Sequence, residues 1–112
     1  MKFVAALLAS VLLSVPAKAE WPEPYSFISG DDLYDALSQE SMVLQGYTLG
    51  VVDALKHSTD PRECFAIPLR PDADQVIYAS FLNFWRDQAK RPANAVDAIT
   101  MMMRSEFSCE VQ

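Results

Sequence analysis

The two cysteines, Cys64 and Cys109, constrain the fold of this chain more than any other feature. An even number of cysteines in a small exported domain is typical of a disulfide. The bridge would close a loop of 45 residue steps and, on a chain-entropy estimate, stabilise the folded state by about 4 kcal/mol. The alternatives are two free thiols or half of a metal site. The metal site is disfavoured because one histidine and two cysteines do not complete a tetrahedral zinc shell.

Residues 1–19 predict that the chain is exported. A basic start, an apolar stretch over 3–15 and a small-x-small exit at 17–19 are the three parts of a secretory signal peptide. The apolar stretch is shorter than the about 20 residues that cross a bilayer, and no cysteine marks a lipoprotein. Cleavage between Ala19 and Glu20 would release a periplasmic protein with no membrane anchor. The alternative is that this segment is a buried first helix.

The net charge disfavours some classes of partner. Removal of the leader would leave 93 of the 112 residues, which fit one domain. The chain has nine basic and fifteen acidic residues, and the leader takes Lys2 and Lys18 with it, so the mature net charge would be −8. An acidic surface disfavours nucleic acid and anionic membranes and favours a basic partner. The alternative is that the charge only keeps a small protein soluble.

Apolar periodicity predicts an all-α domain over residues 29–112, built from four to five short helices closed by one disulfide. An extended arm at 20–28 precedes it, with aromatic residues that could pin it to the helices (Trp21, Tyr25 and Phe27). Ser29 is the predicted N-cap of the first helix, which runs to about Gln39. The second helix covers about 41–56. The third begins at Asp72 or Asp74 and ends near Lys90, and Pro92 lies in the first turn of the fourth.

Each predicted helix has an inward face. The members of these faces are Leu33, Tyr34 and Leu37; Leu44, Tyr47, Val51 and Leu55; Ile77, Phe81 and Phe84, flanked by Tyr78 and Trp85; and Val96, Ile99, Met103 and Phe107. Thr48 is expected on the opposite, polar side of the second helix. Helix geometry is expected to bury about two of the three methionines in the run Met101–Met103.

Two glycines in the second helix form an unusual flank. Gly46 and Gly50 are four residues apart, and Ala54 continues the row. Each interior glycine costs up to about 1 kcal/mol relative to alanine. This cost predicts that another helix packs closely against the flank, with a groove for a partner as the alternative.

The sequence contains no recognisable active site. His57 is the single histidine, and it falls at the end of the second helix, where a cation is favoured. No glycine-rich phosphate loop is present, and Cys64 and Cys109 are too far apart for a Cys-x-x-Cys redox motif. We therefore expect no enzymatic activity, no cofactor and no metal.

Several motifs follow one another in a characteristic order. They are Ser29-Gly30-Asp31-Asp32-Leu33, the run Gly46-Tyr47-Thr48-Leu49-Gly50-Val51-Val52-Asp53-Ala54, Cys64 followed by Pro68, and Phe107-Ser108-Cys109. This order resembles the Rap/Tai family of immunity proteins. Those are small, helical periplasmic proteins that protect a cell from peptidoglycan-cleaving amidase effectors of type VI secretion. The chain departs from the family pattern in lacking a further cysteine near Ala36 or Leu37. Its Cys-to-Pro spacing is also longer, and a serine replaces the proline before Cys109.

The resemblance implies a protein partner, a basic cell-wall hydrolase, that is inhibited sterically by a loop placed in its catalytic cleft. The candidate is the stretch from His57 to Glu63 of the loop at 57–74, with Arg70, Asp72 and Asp74 beside it. This stretch is polar, stiffened by proline and anchored by the disulfide, which lowers the cost of ordering it on binding. The candidate contact residues are His57, Asp60, Arg62, Glu63, Arg70, Asp72 and Asp74. A homodimer is compatible with this role.

Two further hypotheses belong to different classes. One is a periplasmic acid-stress chaperone similar to the HdeA type, which unfolds at low pH and covers aggregating proteins. The acidic composition and the run Met101–Met103 would suit that role. The other is a structural or assembly factor of the periplasm.

Overall fold

The computed structural model describes residues 27–110, which form four α-helices and one short 3₁₀ turn. The elements are α1 (Gly30–Ser38), α2 (Met42–Lys56), the 3₁₀ turn (Pro61–Glu63), α3 (Ala73–Trp85) and α4 (Ala95–Glu106). Within the described range the only β-type pairing is an isolated bridge between Phe65 and Ser108. The predicted all-α fold is therefore confirmed. The predicted leader, its cleavage site and the arm up to residue 26 lie outside the described residues.

The helices of residues 27–110 are all too short or too polar to cross a bilayer. Three of them begin at a polar side chain that caps the first turn. The Ser29 hydroxyl accepts a hydrogen bond from the Asp32 amide at 3.0 Å, as predicted. Ser41 caps α2 in the same way, and the Asn94 side chain accepts from the Val96 amide at 2.8 Å.

The core lies between the four helices, and α4 supplies the largest share of it. Its buried side chains are Leu33 and Leu37 of α1, Val52 of α2, Phe65 of the α2–α3 loop, Ile77, Tyr78, Phe81 and Trp85 of α3, and Ala95, Ala98, Ile99, Met102, Met103 and Phe107 of α4 and its C-cap. The inward faces of α1 and α3 are confirmed, with Tyr34 and Phe84 at their partly buried edges. In the methionine run, Met102 and Met103 are buried and Met101 is 45% exposed, as helix geometry predicts.

The buried face of α2 differs from the prediction. Thr48 is fully buried and Val52 is 2% exposed, whereas the four residues predicted to face inward are only partly buried. The prediction that Thr48 lies on the polar side was wrong. Its hydroxyl donates to the Leu44 carbonyl at 2.8 Å. Because this hydrogen bond within the helix satisfies the only polar group of the side chain, the residue can pack like a small apolar one.

The turn between α3 and α4 is longer than predicted. Helix α3 ends at Trp85 instead of near Lys90. The Trp85 carbonyl, at the end of the helix, accepts a hydrogen bond from Arg91 Nη2 at 3.0 Å. The same guanidinium lies 3.8 Å from the ring centre of Tyr34 and pairs with Asp31 at 3.0 Å. Arg91 therefore links this turn to α1.

The start of α4 also differs. Pro92 precedes the helix instead of lying in its first turn, and its carbonyl accepts the Gly30 amide at 2.9 Å. The inward face of α4 includes Ala95 and Ala98, whereas Val96 is 40% exposed, so the prediction that Val96 faces inward was wrong. Ile28 packs against the core, and Phe27, predicted to pin the arm, is 87% exposed.

Candidate partner-binding loop

The long loop, residues 57–72, joins α2 to α3 and is fixed at its centre. The predicted disulfide between Cys64 and Cys109 is present. On either side of it the Cys109 amide donates to the Cys64 carbonyl at 3.0 Å, and the Ala66 amide donates to the Phe107 carbonyl at 2.7 Å. The Phe65 side chain between them is 6% exposed. The middle of the loop is therefore attached to the chain that follows α4.

Two side chains attach the loop to the helices. Arg104 of α4 donates to both carboxylate oxygens of Glu63, from Nε at 3.2 Å and from Nη2. Lys56 at the end of α2 donates to the Phe65 carbonyl at 3.2 Å. Glu63 is 9% exposed, so this predicted contact residue serves as an internal anchor of the loop.

An ion pair organises the first half of the loop. Asp60 accepts hydrogen bonds from the Arg62 amide at 2.9 Å and from its guanidinium at 2.7 Å. These hydrogen bonds lower the pKa of Asp60 to about 2. The Arg62 side chain is 78% exposed. The pair therefore holds a surface guanidinium in one orientation.

A second ion pair lies at the end of the loop. Arg70 donates to Asp72 from Nε at 2.5 Å and from Nη2 at 3.0 Å, which lowers the pKa of Asp72 below its usual range. Asp72 occupies the N-cap position of α3, but its carboxylate makes no cap hydrogen bond. Asp74 accepts the Gln75 amide at 2.8 Å. His57 is exposed at the other end of the loop, with Nδ1 2.8 Å from the Asp53 carbonyl oxygen.

Leu69 is the residue that sequence reasoning missed. It lies between Pro68 and Pro71 and its side chain is fully exposed, at 103% of the reference area. Leu69 belongs to no helical or strand pattern of apolar residues and lies between two prolines of a polar loop. This position could have identified it from the sequence as an exposed residue. The loop thus presents one apolar side chain, with Arg70 and Asp72 beside it.

An open cavity of about 390 Å³ adjoins the first half of the loop. Its lining residues are Pro61, Arg62, Cys64, Arg104, Ser108, Cys109 and Glu110. Both cysteines of the disulfide are exposed. No group of three or more metal-ligating side chains occurs within residues 27–110.

The glycine flank of α2 is open. A Cβ added at Gly46 or Gly50 would meet no other atom within 4 Å, so the prediction that another helix packs there is wrong for the described part of the chain. Met42 and Val43 near the start of α2 are 82% and 79% exposed. Asp53, on the same helix, is also exposed.

No protein-family model, curated protein or solved structure matches this chain. A functional assignment therefore depends on the residues described above.

Proposed function

We propose that this protein is a periplasmic immunity protein of the Rap/Tai type, which binds a peptidoglycan amidase effector of type VI secretion and blocks its catalytic cleft. The observation that carries the proposal is the long loop, which presents a fully exposed leucine on a backbone held by a disulfide and an internal ion pair. A single exposed leucine is ordinary on a protein surface. Its placement between two prolines on an anchored loop is what supports insertion into a cleft.

The anchors matter because binding has an entropic cost. Ordering a flexible side chain at an interface costs about 0.5–1.5 kcal/mol. In the long loop the charged side chains of Arg62 and Arg70 are already held by their carboxylate partners. Burial of a leucine side chain then contributes about 1.5–3 kcal/mol.

Charge supports a basic partner. Asp32 and Asp35 of α1 and Asp53 of α2 are exposed and form no salt bridge within residues 27–110. The full chain carries a net charge of −6. Complementary charge raises the rate of encounter more than the final affinity, so a basic hydrolase would be captured quickly and then held by the loop.

The test measures inhibition of a panel of amidase effectors by the mature chain, residues 20–112, and by a Leu69→Ser variant. We expect one amidase to be captured stoichiometrically and inactivated by the wild-type protein. The variant should lose about 10- to 100-fold in affinity, which corresponds to the leucine burial above. Its thermal stability should stay unchanged, because the side chain makes no buried contact.

Val43→Ser is the matched control, since Val43 is a similarly exposed apolar residue on α2, and it should inhibit like the wild type. Equal inhibition by Leu69→Ser would exclude the loop as the inserted element. A wild-type protein that captures no amidase but suppresses client aggregation near pH 2–3 would replace the proposal with the chaperone hypothesis.

A further inference from the structure

A second cavity, of about 240 Å³, lies between α3 and α4 on a part of the surface that the long loop does not reach. Its lining residues are Ser80, Asn83, Phe84, Arg86 and Glu106. The first three belong to α3, Arg86 is the C-cap of that helix, and Glu106 is the last residue of α4. Pockets for drug-sized ligands measure about 300–1,000 Å³, so this cavity suits a smaller molecule.

Two opposite charges line this cavity without pairing with each other. Glu106 accepts a hydrogen bond from the Ser105 hydroxyl at 2.8 Å, and its carboxylate forms no salt bridge within residues 27–110. The Arg86 guanidinium approaches one carboxylate of the described chain, that of Asp87, at 3.8 Å, which is too long for a hydrogen bond. Both charged groups therefore keep hydrogen-bonding atoms that a ligand can reach.

The arrangement of these charges decides which ligands are attracted. Arg86 supplies one positive charge, whereas Glu106 and the nearby Asp87 are negative, so a ligand that carries only a carboxylate is disfavoured. A ligand that carries only an ammonium group is attracted by Glu106 and repelled by Arg86. A zwitterion can place each of its charges beside the opposite one. These contacts are much shorter than the screening length of about 8 Å at physiological ionic strength.

The other lining residues supply polar groups and one apolar surface. The Asn83 amide and the Ser80 hydroxyl can each donate and accept hydrogen bonds, and neither side chain is bonded to another described residue. Phe84 is partly buried, and its ring packs edge-on against Trp85, with the ring centres 4.9 Å apart. Because Trp85 is 3% exposed, the Phe84 ring is fixed to the core and offers a short carbon chain a surface to pack on.

We propose that this cavity binds a small zwitterionic amino acid. The carboxylate of the ligand pairs with the Arg86 guanidinium, its ammonium group pairs with the Glu106 carboxylate, and its carbon chain lies against the Phe84 ring. Asn83 and Ser80 hydrogen-bond to the same polar groups of the ligand. Binding is non-covalent and leaves the protein chemically unchanged. This inference does not depend on the proposed function, since the cavity contains no residue of the long loop.

The test titrates the purified protein with ω-amino acids from glycine to 5-aminopentanoate and follows the side-chain amide of Asn83 by NMR. A series is used because the carbon chain must match the gap between the two charged groups. We expect at least one member to shift the Asn83 signal saturably, with a dissociation constant in the millimolar range. Butylamine and butyrate each carry one of the two charges. Both should bind at least about fivefold more weakly than the best amino acid, the effect of one charge at about 4 Å in water.

Arg86→Gln and Glu106→Gln should each weaken binding of the best amino acid by about fivefold. Both residues are exposed, so the variants should fold and melt like the wild type. Lys90→Gln and Glu110→Gln are the matched controls, because they remove the same charges from exposed residues that do not line this cavity, and they should bind like the wild type.

Three results would overturn the proposal. In the first, no amino acid of the series shifts the Asn83 signal. In the second, Arg86→Gln strengthens binding and butylamine binds as well as the amino acids, which would identify a site for simple amines. In the third, the control variants weaken binding as much as Arg86→Gln and Glu106→Gln, which would show that the ligand responds to the net charge of the protein and not to this cavity.

Discussion

At the residue scale, the three glycines of the chain differ in how much space surrounds them. The Gly30 amide donates to the Pro92 carbonyl, and a Cβ at Gly30 would lie 2.6 Å from that same oxygen. Gly30→Ala should therefore lower the free energy of unfolding by about 1–3 kcal/mol, because the turn before α4 must shift to admit a methyl group. Urea denaturation of the purified variant measures the loss.

Gly46→Ala and Gly50→Ala are the controls for that prediction. Both positions are in the middle of α2 and both face open space, so alanine should stabilise the protein by up to about 1 kcal/mol at each site. A Gly30→Ala variant as stable as these two would mean that the chain around Pro92 adjusts freely.

The titration of Asp60 gives a pH prediction. Hydrogen bonds from Arg62 lower its pKa to about 2, against an ordinary value of about 3.9 for an aspartate in an unfolded chain. Because the folded-state pKa is the lower one, the stabilisation from this pair is complete above about pH 4 and is lost as the pH falls towards 2. Carbon NMR of the Asp60 carboxyl should give a midpoint near 2 in the wild type. Arg62→Gln should return the midpoint towards the ordinary value, and a wild-type midpoint near 4 would show that the pair does not form in solution.

At the scale of the element, the methionine run of α4 tests which face of the helix is buried. Met103 is fully buried, whereas its neighbour Met101 is 45% exposed. Met103→Ala should cost about 2–5 kcal/mol because it removes contacts and leaves a cavity. Met101→Ala should stay within about 0.5 kcal/mol of the wild type. Thermal unfolding of the two variants side by side measures the difference, and equal losses would contradict the orientation of α4.

Helix α2 shows why an element can be predicted and its orientation missed. Its bounds follow from the Ser41 cap and the helical spacing of its apolar residues. These residues spread over more than one face, so the sequence allows several rotations about the helix axis. The burial of Thr48 and Val52 is decided by how α2 packs against the neighbouring helices.

The long loop was predicted in part. Its polar and proline-rich composition identified it as a loop. The ion pairs of Arg62 and Arg70 were not predicted, although each joins residues only two positions apart. Glu63 was predicted as a surface contact because nothing local distinguishes it from Asp60. Its partner Arg104 is 41 residues away, and only the folded chain brings the two together.

At the scale of the whole molecule, stability depends on the single disulfide. The bond joins residues 45 positions apart, and the chain-entropy estimate for such a loop is about 4 kcal/mol. A Cys64→Ser, Cys109→Ser double variant should lose about this amount, or be unfolded at 25 °C if the wild-type stability is smaller. Urea denaturation and far-ultraviolet circular dichroism distinguish these cases, and wild-type protein kept reduced is the matching control. A loss below about 1 kcal/mol would show that packing alone holds the fold.

The amino-acid sequence was enough to predict the all-α class, the pairing of the two cysteines, the cap at Ser29 and the inward residues Leu33 and Leu37. These features depend on the period of the helix, on capping by a neighbouring side chain and on the number of cysteines. All three can be read from the sequence without knowing which distant residues come into contact. The rotation of α2, the open flank at Gly46 and the burial of Glu63 could be known only from the folded chain. Each of these depends on side chains far away in the chain, whose contacts form only when the helices pack.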